Sequence, residues 1–317
     1  MSGCWRIAMI LSLLTTACAG ESQRAQRYAA RADRYADRGE FAAAAIEYRN
    51  AIRLQPRLAS AHHRLADAYA AQGQSTEAYR EYAQAAALSP EDVRAAIEAG
   101  RVLLAAGQFE RALAWTVAVL SREPANIDAL ILRGRALVKL HRPDEAVVPL
   151  EAALRSGPDR PATYAAFAEA RTALGDEEGA ERALREGTAA SPASIEARVA
   201  LAQYLAAASR PAAAERELRH ALDVDGGHEL ANRTLASLYI STGRARAAEP
   251  YLRAASAAHN QKFGSTLALA DYYRAAGRIE EARAVLKSVT RGFVLRDARA
   301  RLAALDREAT TRPVSAP

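Results

Sequence analysis

The 317-residue chain has almost nothing to staple it, because its two cysteines, Cys4 and Cys18, both lie near the start and no disulfide can hold the body together. Aromatic side chains are scarce, at 6%, which argues against sandwiches and barrels built from aromatic and β-branched residues. Lysine is nearly missing: Lys139, Lys262 and Lys287 are the only three among 43 cationic residues, and the rest are arginine. The net charge of +6 forms no basic run, since the arginines are interspersed with acids throughout. That distribution argues against nucleic acid as a partner. Catalytic signatures are missing too, with no Gly-rich phosphate loop, no H-E-x-x-H or C-x-x-C pair and no G-x-S-x-G turn. His62 and His63 are adjacent on a helix and point to different faces, His141 falls in a turn, and His220, His228 and His259 have no partner at ligand spacing. The chain therefore reads as non-catalytic, with no metal, no cofactor and no small-molecule substrate.

What is abundant is alanine, about a quarter of the chain. Such small side chains fill space only where backbones approach closely, so the core is expected to be packed helices. The N-terminus differs in character. Met1 to Arg6 carries one cation, Ile7 to Leu14 is apolar, and Thr15-Thr16-Ala17-Cys18 follows. The apolar run is about half of what spans a bilayer, so 1–17 reads as a secretory signal and export is expected. The Leu-Leu-Thr-Thr-Ala-Cys stretch resembles a bacterial lipoprotein lipobox, with Thr15 where leucine is usual. The resemblance implies acylation of Cys18, a short tether over 18–24 and, since no aspartate follows the cysteine, an outer-membrane lipoprotein facing the periplasm. The alternative is ordinary cleavage at Ala17-Cys18-Ala19, releasing a soluble periplasmic protein that begins at Gly20.

Beyond this segment the chain is periodic. Pro56, Pro90, Pro124, Pro158 and Pro192 are each 34 residues apart. Twelve positions before each stands Ala44, Ala78, Ala112, Ala146 and Ala180, and the column continues through Ala214, Ala248 and Ala282. A second small-residue column runs Ala32, Ala66, Gly100, Gly134, Ala168, Ala202, Ala236 and Ala270; a third runs Ala51, Ala85, Val119, Ala153, Gly187, Ala221, Ala255 and Val289. Mid-repeat, Gly39, Gly73, Gly107, Gly175, Gly243 and Gly277 suit left-handed helix C-caps. Where that glycine is replaced by His141 or Ser209, Pro143 or Pro211 follows at the start of the next helix. Each repeat is thus two helices, and one repeat alone cannot bury both faces.

These columns resemble the tetratricopeptide repeat, which has a small residue at position 8, glycine at 15, alanine at 20 and 27, a large residue at 24 and proline at 32. The resemblance implies an all-α fold, an α-solenoid wound as a right-handed superhelix of about eight helix-turn-helix repeats. They span 25–58, 59–92, 93–126, 127–160, 161–194, 195–228, 229–262 and 263–296. Departures fall at Gly226-Gly227, Asn260 and Arg291-Gly292. Ala298, Leu302 and Leu305, at helical spacing, mark a capping helix over 297–308, and 309–317 is expected to be disordered.

In the family, positions 2, 5, 6, 9 and 12 of each repeat point into a concave groove that binds protein partners through extended peptide segments. Carried over to repeats two to four, they give His63, Arg64 and Asp67, then Arg94, Ile97, Arg101 and Leu104, then Ile131, Arg135 and Val138. Repeats five and six present mostly alanine with Glu169, Thr172, Glu196 and Gln203. An apolar strip of Ile97, Leu104, Ile131 and Val138 beside arginines suits a peptide carrying acidic groups. The alternative is that Ile97 and Ile131 are inter-repeat contacts and the arginines are solvated. His63 and Asp67 depart from the lysine and asparagine with which the family's carboxylate clamps hold chaperone tails. The expected role is a membrane-tethered interaction scaffold of envelope machinery for assembly, secretion or exopolysaccharide and surface-protein export. A cell-wall or sugar-processing enzyme with its site in the groove is the remote alternative.

Overall fold

Glycine and proline punctuation becomes helix ends at a constant spacing. A computed structural model describes the backbone of residues 3–257, 264–289 and 294–311, and the side chains of 20–257, 264–289 and 297–307. Among these residues there are seventeen helices and no strands. The first helices of successive repeats are α1 (Gly3–Asp37), α3 (Ala59–Ala71), α5 (Val93–Ala105), α7 (Ile127–Lys139), α9 (Pro161–Ala173), α11 (Ile195–Ala207), α13 (Glu229–Ser241) and α15 (Gly264–Ala275). The second helices are α2 (Phe41–Leu54), α4 (Ser75–Leu88), α6 (Phe109–Leu120), α8 (Pro143–Ser156), α10 (Glu177–Ala190), α12 (Pro211–Val224), α14 (Ala245–Ala257) and α16 (Ile279–Ser288). A cap, α17 (Val294–Thr311), follows.

The mid-repeat turns share one geometry. Gly39, Gly73, Gly107, Gly175, Gly243 and Gly277 have φ between +73° and +78°. After α3, the Gly73 N–H donates to the Ala70 carbonyl and the Gln74 N–H to the Tyr69 carbonyl, each at 2.9 Å. This crossed pair satisfies carbonyls that a helix C-terminus leaves open. Helix starts are capped as locally: the Asp92, Asn126, Asp176 and Ser194 side chains accept backbone N–H groups at 2.9 to 3.1 Å.

The helices divide into two compact units, residues 1–140 and 141–317, the division falling inside the fourth repeat. In the first unit the hairpins α1–α2, α3–α4 and α5–α6 stack in order and end on α7. In the second, α8 precedes the stacked hairpins α9–α10, α11–α12, α13–α14 and α15–α16, and α17 closes the end. Both are α-solenoid architectures. The alanine column from Ala44 to Ala282 is wholly buried in every repeat. Small residues there let backbones close in, while larger buried side chains such as Tyr48, Leu65, Leu103, Leu150, Leu205, Leu218 and Leu235 fill the remaining space. Ala298 and Leu305 of α17 are 1% exposed and join the core of the second unit.

α1 runs without interruption from 3 to 37, so the segment expected to be a signal and tether shares one helix with the first repeat. The side chain of Cys18 lies outside the described residues, as do Asn260 and Arg291-Gly292. α17 continues past Glu308 to Thr311, where disorder had been expected, and 312–317 lie outside the described residues. No described helix is long and apolar enough to cross a membrane.

Candidate functional site

Contacts between like helices identify the inner surface of each unit. Successive first helices touch, α1 with α3 and α5 with α7 in the first unit, α9 with α11 and α11 with α13 in the second. No two second helices meet to a comparable extent among the described residues. First helices therefore line the tighter, concave side.

In the first unit the sequence-derived groove residues divide by fate. Ile97 and Ile131, 5% and 8% exposed, are withdrawn into the packing, Ile97 among Ala85, Val119 and Ala129. They are inter-repeat contacts and present no apolar strip; Leu104 and Val138 are half-buried. Most of the cations are already engaged. Arg101 bonds Glu98 at 2.8 Å and Asp128 at 2.7 Å, tying the third repeat to the fourth. Arg94 reaches back to its own helix cap, Asp92, at 2.7 Å, and this bond, with the burial opposing it, pulls the Asp92 carboxyl down to about 2. Arg64 and His63 each stand 3.8 Å from Asp67, which also accepts the Tyr82 hydroxyl at 2.6 Å. Arg135 is half-buried. The inner surface here is a set of neutralised pairs and has little net field for an acidic peptide.

The second unit offers a cleft. Between α11 and α13 a space of about 400 Å³ is floored by Ala202, Ala206, Leu218, Leu230 and Leu238 and rimmed by Gln203, Arg233, Thr234, Ser237 and Ser241. Thr234 and Ser241 donate their hydroxyls to the Leu230 and Leu238 carbonyls of their own helix, at 2.8 and 3.0 Å. Arg233 pairs with Glu229 at 3.3 Å, and Glu229 also accepts the Ser265 hydroxyl. Gln203 and Ser237 are exposed on the rim. Ile240, one helix position before Ser241, is 46% exposed. Leu230, Arg233, Thr234, Ser237 and Ile240 are positions 2, 5, 6, 9 and 12 of repeat seven, one 34-residue period beyond the groove positions of repeat six, so the repeat register is the sequence signal that marks them. Among the described residues no group of three or more His, Cys, Asp or Glu side chains is arranged to hold a metal.

A family model described as "TPR repeat" matches residues 32–73, and one described as "Tetratricopeptide repeat" matches 63–120, 97–161 and 233–292. Among solved structures, a tetratricopeptide repeat protein from Parabacteroides merdae superposes with a TM-score of 0.58 at 16% identity, over 78% of this chain and 98% of its own. Yeast Tom70 gives 0.65 at 15% identity, over 87% of this chain and 61% of its own. PilW, described as a widely conserved type IV pilus biogenesis factor, gives 0.54 at 15%, over 68% and 97%. At these identities the likeness is one of fold. No curated protein matches significantly in sequence.

Proposed function

We propose, from the premise that the chain belongs to the tetratricopeptide repeat family, that it is a non-catalytic scaffold binding an extended peptide segment of a partner protein along the inner surface of its second unit. Proteins of this family are generally interaction scaffolds. The observation that carries the reading is the cleft between α11 and α13, which coincides with inward-facing positions of two successive repeats. An extended peptide exposes both donors and acceptors, and a glutamine amide such as Gln203 offers one of each kind without demanding a particular side chain. Leu230 and Ala206 accept an apolar side chain, and Arg233, paired with Glu229, leaves the rim polar and close to neutral. Ser237→Trp, which fills the cleft from an exposed rim position, is expected to abolish partner capture from envelope extract with helical circular dichroism unchanged. Arg101→Glu in the first unit is expected to leave capture intact. Retention of the partner by Ser237→Trp overturns the assignment of the surface.

In this reading the scaffold works in the cell envelope, exported, acylated at Cys18 and held at the periplasmic face of the outer membrane. There it serves machinery of assembly, secretion or surface export. The support is the signal-like segment with its lipobox-like end, and the fold shared with PilW, a pilus biogenesis factor, agrees with such a setting. Fatty-acid labelling is expected in the parent protein and lost in Cys18→Ser. Label that persists in the variant overturns acylation at Cys18, and a mature N-terminus at Gly20 replaces the tethered form by the soluble periplasmic one.

A further inference from the structure

In four of the eight repeats the fourth position works as an internal clasp. His62, Tyr164, Arg198 and Asn232 stand there at 34-residue spacing or its multiples, and each donates to the turn carbonyl six residues earlier. The distances are 3.0 Å to Pro56, 2.9 Å to Pro158, 3.0 Å to Pro192 and 2.9 Å to Gly226. These side chains occupy the wedge between the turn, their own helix and the second helix of the repeat. His62 and Arg198 also meet a carboxylate on that second helix, Glu81 at 2.6 Å and Glu217 at 3.2 Å. In the third repeat the position is Ala96, whose side chain stops at Cβ, and the wedge stands open. Arg122, from the following turn, takes the Pro90 carbonyl instead. What remains is a cleft of about 200 Å³ lined by Ala86, Val93, Ala96, Trp115 and Val119, with Arg122 on its rim.

We propose that this cleft receives an aromatic side chain, tyrosine in particular, presented by a partner protein. Size and chemistry both point there. An apolar cavity of about 150 Å³ admits a benzene ring, so the cleft has room for one aromatic ring. Tyr164 occupies the corresponding wedge in the fifth repeat, its hydroxyl on a turn carbonyl, with Gly187 and Ala183 standing where the third repeat has Val119 and Trp115, so a ring entering the third-repeat cleft lies against Trp115 and Val119. A carbonyl oxygen has two lone pairs, so Pro90 still accepts a phenol beside Arg122. A cationic occupant is disfavoured, because Trp115 stands where Glu81 and Glu217 stand in the repeats clasped by His62 and Arg198, and Asp92 is taken by Arg94. Trp115 instead presents an indole for ring-on-ring contact. The site lies in the first unit, among residues outside the inward-facing positions, and is independent of the cleft between α11 and α13.

The test uses the full chain carrying Trp5→Phe, which leaves Trp115 as the only indole, with N-acetyl-tyrosinamide, N-acetyl-leucinamide and N-acetyl-argininamide as probes. Excited beyond tyrosine absorption, Trp115 fluorescence is expected to change saturably with tyrosinamide at a dissociation constant of order one millimolar. The leucine probe is expected to bind at least about fivefold more weakly and the arginine probe to give no saturation. Ala96→Tyr, which restores the clasp from within, is expected to raise the unfolding temperature and abolish the tyrosinamide response; Ala96→Leu serves the same purpose if the tyrosine variant does not fold. A linear response to tyrosinamide, equal binding of the leucine probe, or a response unchanged in the filled variant overturns the proposal.

Discussion

His62 shows what a single residue decides. It is 7% exposed, with Nδ1 at 2.6 Å from the Glu81 carboxylate and Nε2 at 3.0 Å from the Pro56 carbonyl. A neutral imidazole donates once, so both bonds together call for the imidazolium. Burial alone lowers the pKa, but the bonds to Glu81 and Pro56 outweigh it and raise it above the ordinary histidine value. A folded pKa above the unfolded one means that the stabilisation is complete below the unfolded value and is lost as pH rises through the folded one. The urea midpoint of the parent protein is therefore expected to fall across that window. His62→Arg, copying Arg198, keeps its charge and removes the fall; equal slopes in the two proteins would discount the clasp. Asp67 illustrates the reverse error of reading polarity as a ligand. It accepts the hydroxyl of Tyr82, just as Asp33 accepts that of Tyr48, both at 2.6 Å, and burial with these carboxylates pushes both phenols far up and keeps them neutral.

At the scale of elements, the turn and the small-residue columns set how closely helices approach. Two of the mid-repeat turns lack glycine, and there His141 and Ser209 are held at φ +58°. The Ser209 turn keeps the crossed bonds of its glycine counterparts, with the Arg210 N–H on the Leu205 carbonyl at 2.9 Å. A left-handed conformation costs an L-residue roughly 1 kcal/mol, so Ser209→Gly and His141→Gly are each expected to stabilise by about that much in chemical denaturation. A loss of stability in either variant would mean the replaced side chain contributes more than its backbone costs. In the columns, glycine appears where a neighbour leans in. A Cβ on Gly187 would lie 2.8 Å from Tyr164 Cβ, and one on Gly100 2.5 Å from a methyl of Leu132. Large and small residues are thus traded between facing helices at constant spacing.

At the scale of the whole molecule, the second unit carries a polar ladder that stitches its repeats together. Glu181, Glu215 and Glu249 recur every 34 residues, and each accepts from an arginine on its own helix and from the residue after the next mid-repeat turn. The latter are Arg210, Arg244 and Arg278, at 2.7, 2.8 and 2.6 Å. Tyr239 and Tyr273 add hydroxyl donors at 2.9 and 3.1 Å. The arginines hold Glu181 and Glu249 below the usual value; at Glu215 burial opposes the shift, and Arg244 and Tyr239 prevail. Depressed carboxylate pKa values contribute stability above the ordinary value near 4.5 that is lost as pH falls through the lower folded values. The triple variant Glu181→Gln, Glu215→Gln, Glu249→Gln is expected to be less stable at pH 7 and to show a shallower acid unfolding limb by circular dichroism. Superimposable acid limbs would show that the ladder does not couple the repeats.

The residues by themselves determined the period, the helical hairpins, the turn conformations and the capping helix. Each of these is a local demand: a positive φ, a missing N–H, or a methyl where backbones nearly touch. Repetition every 34 residues makes such demands visible without knowing what packs against what. Which inward positions are available to a ligand was decided only in three dimensions. Ile97 and Ile131 occupy inward positions of the repeat yet are covered, and Arg101 is claimed by Asp128, 27 residues away. Position in a repeat fixes where a Cα–Cβ bond points. Whether a neighbour then covers, neutralises or leaves open that side chain depends on the sizes and charges of two other helices, as the cleft beside Gln203 and the wedge above Ala96 both show.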